Sequence, residues 1–339
     1  MKKLLTLLAV SLAAGACINK IPVDFGDVEA RLVLNAQLLS QGDEQLIYLS
    51  ESYLSDTKPV TDAAVTVEVD GKGPITAEAL PLTEQDRYAA GYRFQGAIPA
   101  GSRVKVTART GDREVWASSE VTEAVAISSV DTARVMVQSF DEPQEAFQFR
   151  VTFQDIPGDT YYQIGVRAEF VVHQVDAEGR TLDIPTQYEL PVDGSADPVL
   201  GGNSTMASIF ELTPTYLVFT DVLFRDKACT IRLSIPPESL YPYYYYWDED
   251  FVPRYALVSA RFFPWLETIT REEYHYLCAL NNLENFGYEG QVIVEPTTLP
   301  TNVNGGLGFV TVRNRSEAAP IDGGEWRQEY YYDDDYYAE

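Results

Sequence analysis

The residues with the most chemistry to offer are scattered, and few stand at catalytic spacing. The two histidines, His173 and His275, lie far apart in sequence. The first sits in Phe170-Val171-Val172-His173-Gln174-Val175, an ordinary strand pattern. The second precedes Cys278 by three residues on a helical pattern; as a metal site the pair lacks a third ligand. Neither a Gly-x-Ser-x-Gly elbow nor a His-Glu-x-x-His helix occurs, so the parts of acyl transfer and zinc proteolysis are missing. Asn304-Gly305-Gly306-Leu307-Gly308 is rich in glycine but leads into a strand and lacks the Lys-Ser/Thr ending of a phosphate loop. It reads as a turn that needs positive φ. Acidic pairs are plentiful among the 51 Asp and Glu. Two of them at glycosidase spacing would make the enzyme alternative, a glycosidase working through carboxylates. The segment that asks for a contact is Tyr241-Pro242-Tyr243-Tyr244-Tyr245-Tyr246-Trp247, followed by Asp248-Glu249-Asp250. So many rings in seven residues cannot all be buried on either period, which makes Tyr243, Tyr244, Tyr245, Tyr246 and Trp247 candidates for contact with a partner, contact with a ligand, or packing between modules. The sequence therefore predicts no catalytic residues, no metal ligands and no cofactor.

Composition narrows the partners. The chain has 339 residues, with 25 Lys and Arg against 51 Asp and Glu, a formal charge of −26. Phosphate backbones and anionic lipid surfaces are bound through basic stripes, which this balance does not supply, so nucleic acid is not expected. Hydrophobic residues at 45% give ample core. The tail that follows Trp326 gathers Tyr330, Tyr331, Tyr332, Tyr336 and Tyr337 around Asp333, Asp334 and Asp335. Residues 326–339 are read as a solvated acidic end, with no Asp-x-Asp-x-Asp-Gly loop to bind calcium.

The N-terminus carries an address. Lys2-Lys3 is followed by an apolar run from Leu4 to Ala16 that is too short for a membrane span, and small residues precede Cys17. Ala14-Gly15-Ala16-Cys17 resembles a bacterial lipobox, although Ala14 stands where Leu is usual. The expectation is a signal peptide over 1–16, a lipid on Cys17 and a tether over 17–29. The chain would then be held at the outer membrane through acyl groups on Cys17. Asp24 and Asp27 behind the lipid resemble the surface-export signal of Bacteroidota lipoproteins, which implies possible exposure at the cell surface.

The remaining chain is read as mainly β. Period-two strands are predicted at 32–38, 45–49, 64–69, 103–108 and 114–118, with Val65, Val67 and Val69 on one face and Val104, Val106 and Ala108 on another. They make a small β-sandwich over 30–122. A crossover near 121–127 leads to a larger β-rich domain over 127–325, with strands at 133–137, 147–153, 161–170, 216–219, 230–233, 254–260 and 308–312. Residues 193–205 read as a loop. One amphipathic helix is predicted near 270–285. Thr270 is its N-cap, Glu273 completes a capping box, and Tyr276, Leu277, Leu280 and Leu283 form a stripe expected to pack on the second sheet. Cys229 and Cys278 could form a disulfide or remain as buried free thiols.

Several of these segments together resemble a Bacteroidota family of cell-envelope lipoproteins known only as a domain of unknown function and often encoded beside TonB-dependent receptors. The likeness is carried by Pro59-Val60-Thr61-Asp62-Ala63-Ala64-Val65-Thr66-Val67, by Ile98-Pro99-Ala100-Gly101-Ser102-Arg103-Val104-Lys105-Val106 and by Phe219-Thr220-Asp221-Val222-Leu223-Phe224. The helix from Thr270 and the closing turn Pro300-Thr301-Asn302-Val303-Asn304-Gly305-Gly306-Leu307-Gly308-Phe309 also belong to it. The resemblance implies an immunoglobulin-like N-terminal sandwich, an outer-membrane setting and a TonB-dependent β-barrel receptor as partner, in a non-catalytic binding or docking role in nutrient uptake. The alternative function is independent capture of a glycan, peptide or cation. No catalytic residue transfers from the family.

Overall fold

The structure is a computed structural model that describes residues 29–53, 56–83, 87–139, 142–176, 178–201, 215–235, 240, 253–287 and 299–329. Cys17 with the expected signal segment, the Tyr243–Trp247 cluster with the acids after it, and the tail from Tyr330 lie outside the described residues. In chain order the strands are β1 (Arg31–Leu39), β2 (Glu44–Tyr53), β3 (Asp56–Pro59), β4 (Ala64–Val69), β5 (Ile75–Thr76), β6 (Glu78–Ala79), β7 (Ala90–Gln95), β8 (Arg103–Thr110) and β9 (Arg113–Glu120). There follow β10 (Ile127–Ser139), β11 (Glu142–Gln154), β12 (Tyr161–Asp176), β13 (Thr181–Glu189), a helical turn α1 (Pro198–Gly201), β14 (Leu217–Thr220) and β15 (Ala228–Ile235). The chain continues with β16 (Pro253–Ile269), the helix α2 (Arg271–Gly287), β17 (Val303–Asn304), β18 (Val310–Glu317) and β19 (Ile321–Glu329). The fold is mainly β, in several sheets with few helices and no closed barrel.

Alternation explains each sandwich. In the first, one layer is β3 and β1-β2-β7-β6 and the other is β17-β9-β8-β4-β5. Their inward residues, among them Leu34, Leu38, Ile47, Val65, Val67, Val104 and Val106, form one buried cluster. Tyr92 is fully buried there, and its hydroxyl donates to the Val60 carbonyl at 2.7 Å while accepting from the Ala63 N–H at 3.1 Å. A buried phenol thus satisfies the turn that enters β4. In the second sandwich, β10-β11-β15 faces the sheet built around β12 and β16. Phe147, Phe149, Val151 and Phe153 point inward from β11 as their alternation requires, meeting Tyr162, Phe170, Phe219 and Phe262. No helix among the described residues is long and apolar enough to cross a membrane.

The two sandwiches share a strand. Val310 to Arg313 of β18 run parallel to Ala36 to Leu39 of β1, while Asn314 to Glu317 run antiparallel to Trp265 to Thr268 of β16. β17 adds to β9, and Val303, Val310 and Val312 complete the first core. Residues 303–312, grouped by sequence with the second domain, therefore close the first. Nothing local marks this, because pairing of β1 with β18 is parallel and spans most of the chain. The glycine turn makes the approach possible: Gly308 has φ +107°, and a Cβ there would collide with the Leu34 carbonyl oxygen.

Three further departures from the sequence reading have physical causes. Trp326 to Glu329, expected within the tail, belong to β19, which pairs with β16 from Tyr255 to Phe262. Trp326 meets Phe170 edge-on. β7, β13 and β19 lie outside the strands read from the sequence. Glycines and charges interrupt the alternation of β19, whereas Ala90, Tyr92 and Phe94 of β7 and Leu182, Ile184 and Tyr188 of β13 do alternate, with Gly91 and Pro185 between them as residues that strands ordinarily disfavour. The N-terminus of α2 is capped as expected, with the Glu273 N–H donating to Thr270 Oγ1 at 3.1 Å. The Glu273 carboxylate, expected to complete a capping box, accepts from Thr311 Oγ1 and Arg313 Nε on β18. Accordingly α2 packs over the junction as well as the second sheet, with Leu277 against Val218 and Ile269, and Tyr276 stacked on Phe309 at 4.3 Å.

Candidate functional site

The outward face of β12, β16 and β18 carries a row of polar residues where strands at this depth would ordinarily place apolar ones. Cross-strand register sets Gln163 beside Glu267, and Glu267 beside Arg315. One pleat along, Gly165 is beside Trp265, and Trp265 beside Glu317. The opposite faces of the same strands hold Tyr162, Ile164, Val166, Phe262 and Leu266 in the core. Period two alone thus sorts the two sets.

Arginines hold this row together. Arg315 donates from Nε to Glu267 at 2.6 Å and from Nη1 to Glu189 at 2.7 Å. The second Glu189 oxygen accepts from Trp265 Nε1 at 2.6 Å, and the Arg315 guanidinium lies 3.9 Å from the indole centroid. The other face of the indole lies over Gly165: a Cβ there would sit 2.5 Å from an indole carbon. Only a glycine leaves room for the ring. Arg167 repeats the device one step on, with a two-pronged bond to Glu317 at 2.8 and 2.9 Å, a bond to Glu169 at 2.8 Å and a stack on Phe263 at 3.8 Å.

Two glutamates are buried outright. Glu267 is 0% exposed and Glu273 2%, which places both carboxyls out of water and makes pairing obligatory. Arg313, its side chain 11% exposed, lies between them with Nε 3.4 Å from Glu273 and 3.7 Å from Glu267. The longer contact counts as an ion pair but is too long for a hydrogen bond, so Glu267 Oε2 has no hydrogen-bond partner. Burial pushes the Glu273 carboxyl above its usual range, opposed by Arg313 and the Thr311 hydroxyl and reinforced by Glu267. Burial works against the charge of Arg315 too, yet Glu267 and Glu189 outweigh it and hold that guanidinium's pKa up. Bonding to Glu317 raises that of Arg167. Glu169 is held below the usual carboxylate range chiefly by its bond from Arg167.

Gln163, Gly165, Trp265, Arg315 and Glu317 of this row, with Glu189, form one wall of a cavity of about 970 Å³ between the two sandwiches. Gln37 and Leu39 of β1 and Gln41 and Gly42 of the β1–β2 turn face it from the first sandwich, and Leu190, Pro191, Val192 and Leu217 flank it from the second. Gln163 lines the cavity at 5% exposure, and its Oε1 has no hydrogen-bond partner. Arg313 lines it too, and also a smaller cavity of about 420 Å³ under Tyr276 and Phe309.

The comparisons bear on the chain as a whole. The family described as "Domain of unknown function (DUF4249)" matches residues 18–319, which takes in the first sandwich, the shared strand and the second sandwich up to β19. The chain belongs to this family. No curated protein matches its sequence. A DUF4785 family protein from Legionella pneumophila, a solved structure, is similar over 70% of this chain and 52% of that one, at 9% identity and a TM-score of 0.21. The chain spans about half the length of that protein.

In this DUF4249 chain the residues singled out from sequence do not converge. His173 Nδ1 pairs with Asp183 at 2.6 Å across β12 and β13, and His275 on α2 touches the ring of Tyr274. Cys229 and Cys278 are free thiols, not a disulfide. Among the described residues no group of three His, Cys, Asp or Glu is placed to hold a metal ion. The site residues that sequence reasoning missed are Gln163, Glu189, Trp265, Glu267, Arg313 and Arg315. A signal existed: Glu267 directly follows the apolar run Phe262-Phe263-Pro264-Trp265-Leu266, and Arg313 and Arg315 share a face of a strand that opens Val310-Thr311-Val312.

Proposed function

We propose that this chain is a Bacteroidota outer-membrane lipoprotein, held by acyl groups on Cys17, that serves as a non-catalytic binding or docking accessory to a TonB-dependent receptor in nutrient uptake. The supporting observation for binding rather than turnover is the state of the cavity's acids. Glu189 and Glu317 are each tied to an arginine, and Glu267 beneath them is tied to Arg315, so none is poised as a free proton donor beside another. An arrangement paired in this way keeps its shape without ligand, which suits recognition. The anchoring rests on the lipobox-like Ala14-Gly15-Ala16-Cys17, and the importer setting on the segments shared with the envelope family.

The test has two parts. Cys17→Ser is expected to move the protein from the outer-membrane fraction to the soluble fraction; unchanged sedimentation with the membrane refutes the anchor. Affinity capture of the lipidated protein from detergent-solubilised membranes is expected to bring down a large β-barrel protein. Recovery of the lipoprotein alone refutes the docking role.

A further inference from the structure

We propose that the smaller cavity, on the outward face of the first sandwich beside α2, binds the end of a neutral oligosaccharide, with the Tyr48 ring as platform and Asn35 and Gln37 bonding the sugar hydroxyls. This goes beyond the docking reading, which names no ligand, and it uses a different cavity.

Strand pairing places this cavity. β1 pairs with β2 from Arg31 to Asn35, where Asn35 stands opposite Tyr48, and from Ala36 to Leu39 it pairs with β18 on its other edge. At Leu39 a side chain takes the place of the ladder to β2: Gln45 Oε1 accepts from the Leu39 N–H at 2.8 Å, and Gln45 Nε2 donates to the Leu39 carbonyl at 2.7 Å. Between these two points lies a cavity of about 420 Å³, with Asn35 and Gln37 of β1 and Leu46 and Tyr48 of β2 as its floor and Tyr276 and Phe309 as its wall. Period two turns those floor residues outward, because Leu34, Ala36, Ile47 and Leu49 fill the core behind them.

The floor groups are within reach of a ligand. Tyr48 is 41% exposed, and Asn35 and Gln37 are exposed beside it. Among the described residues the Tyr48 ring meets no other ring, and neither its hydroxyl nor the Gln37 carboxamide has a hydrogen-bond partner. Asn35 Oδ1 accepts from the Phe309 N–H at 2.9 Å, which leaves its Nδ2 donors for a ligand. An open ring flanked by groups that donate and accept is the complement of a pyranose, which has an apolar C–H face and a rim of hydroxyls that do both. Charge decides against an ion. The acid lining the cavity, Glu273, is 2% exposed and lies 3.4 Å from the base lining it, Arg313. A flat aromatic ligand finds no slot, because Tyr276 and Phe309 are stacked on each other with centroids 4.3 Å apart and planes 12° from parallel. The volume is near the lower end of the range of small-molecule pockets, roughly 300–1,000 Å³, which suits a disaccharide unit.

The probes are maltose, cellobiose and lactose, titrated calorimetrically into the full chain carrying Cys17→Ser. Saturable one-to-one binding of at least one of them is expected. Tyr48→Ala should weaken it about tenfold, the effect of losing a ring contact, and Gln37→Ala about fivefold, the effect of losing a hydrogen bond. Both side chains are exposed, so both variants should melt with the parent, and lost binding cannot be ascribed to unfolding. Tyr88→Ala removes a tyrosine that is 67% exposed and lines no part of this cavity, and it should bind as the parent does. Absence of binding with all three sugars overturns the proposal. So does undiminished affinity in Tyr48→Ala and Gln37→Ala, or an equal loss in Tyr88→Ala. Tighter binding of digalacturonate, or of acetylated and amidated Ala-Phe-Ala, overturns the ligand class. The titration involves neither membrane nor receptor, so its failure leaves the anchoring and docking reading untouched, and failure of that reading leaves this one standing.

Discussion

Replacing Gly165 by alanine puts the joint between strand packing and site geometry to a direct test. The new methyl carbon would lie 2.5 Å from one indole carbon of Trp265 and 2.8 Å from a second, well inside contact distance. Gly165 is in the middle of a strand paired to Trp265 itself, so the backbone cannot retreat without breaking the ladder to β16. The ring must lift instead. Overpacking of this kind costs about 1–3 kcal/mol. Lifting the ring also strains its bond to the Glu189 carboxylate and its stack on Arg315, worth roughly 1 kcal/mol or more together even when partly exposed. A loss of about 2–4 kcal/mol is therefore expected, a large share of the roughly 5–15 kcal/mol that holds a typical domain. Urea unfolding followed by far-ultraviolet circular dichroism measures it. The control is the same substitution in a Trp265→Leu background, where no ring stands over the site and the cost should fall below about 0.5 kcal/mol. Equal costs in the two backgrounds, or a Gly165→Ala chain as stable as the parent, would refute the reasoning.

Other outcomes follow from the same geometry. Burial raises the Glu273 carboxyl above its usual 4.5, so just above that value the folded chain holds more protons than the unfolded one. The stability tied to this group is fully present in acid and declines as pH rises through the raised value. Glu273→Gln should therefore gain on the parent as pH increases, read from urea midpoints at acid and mildly alkaline pH; a difference that shrinks with pH contradicts the assignment. Burial pushes the Cys229 thiol up to about 12 and also raises that of Cys278. In the Cys17→Ser chain both should react with a thiol reagent only after unfolding, and reductant should leave the Tm unchanged; prompt labelling of the folded chain contradicts this. A fragment of residues 30–122 lacks Val303, Val310 and Val312 of its own core and should show no cooperative melt. A sharp transition in that fragment would show that the returning strand is dispensable.

How far the sequence could be read depended on the range of the interaction. β4, β8 and β11 were legible because alternation is local: Val65, Val67 and Val69, or Phe147, Phe149, Val151 and Phe153, declare a face within a few residues. The start of α2 was legible because Thr270 caps it from three residues away. β19 was not, since Asp322-Gly323-Gly324-Glu325 breaks any alternation and the strand owes its order to the β16 ladder. The cavity wall was illegible for a related reason. Arg167, Glu189, Trp265 and Arg315 are far apart in sequence and meet only through cross-strand register. A single buried acid such as Glu267 looks like an anomaly until its partner on β18 is known.

The shared strand also fixes how the cavity can behave. β18 is continuous from Val310 to Glu317, one half bonded to β1 and the other to β16, so the sandwiches cannot hinge there without breaking a ladder. A second tie lies beside it: Thr122 Oγ1 donates to the Thr268 carbonyl at 2.7 Å, and Asn314 Nδ2 donates to the Thr122 carbonyl at 2.9 Å. Arg313 stands at the crossover, its carbonyl accepting from the Ser40 N–H of the first sandwich while its guanidinium serves glutamates on β16 and α2. Movement between the sandwiches would therefore separate buried charges as well as strands, and breaking a buried pair typically costs about 3–5 kcal/mol. Opening by rotation of one sandwich against the other is disfavoured by that amount or more. A ligand would enter a cavity whose walls are already at their working distance, so little of its affinity would come from closure around it.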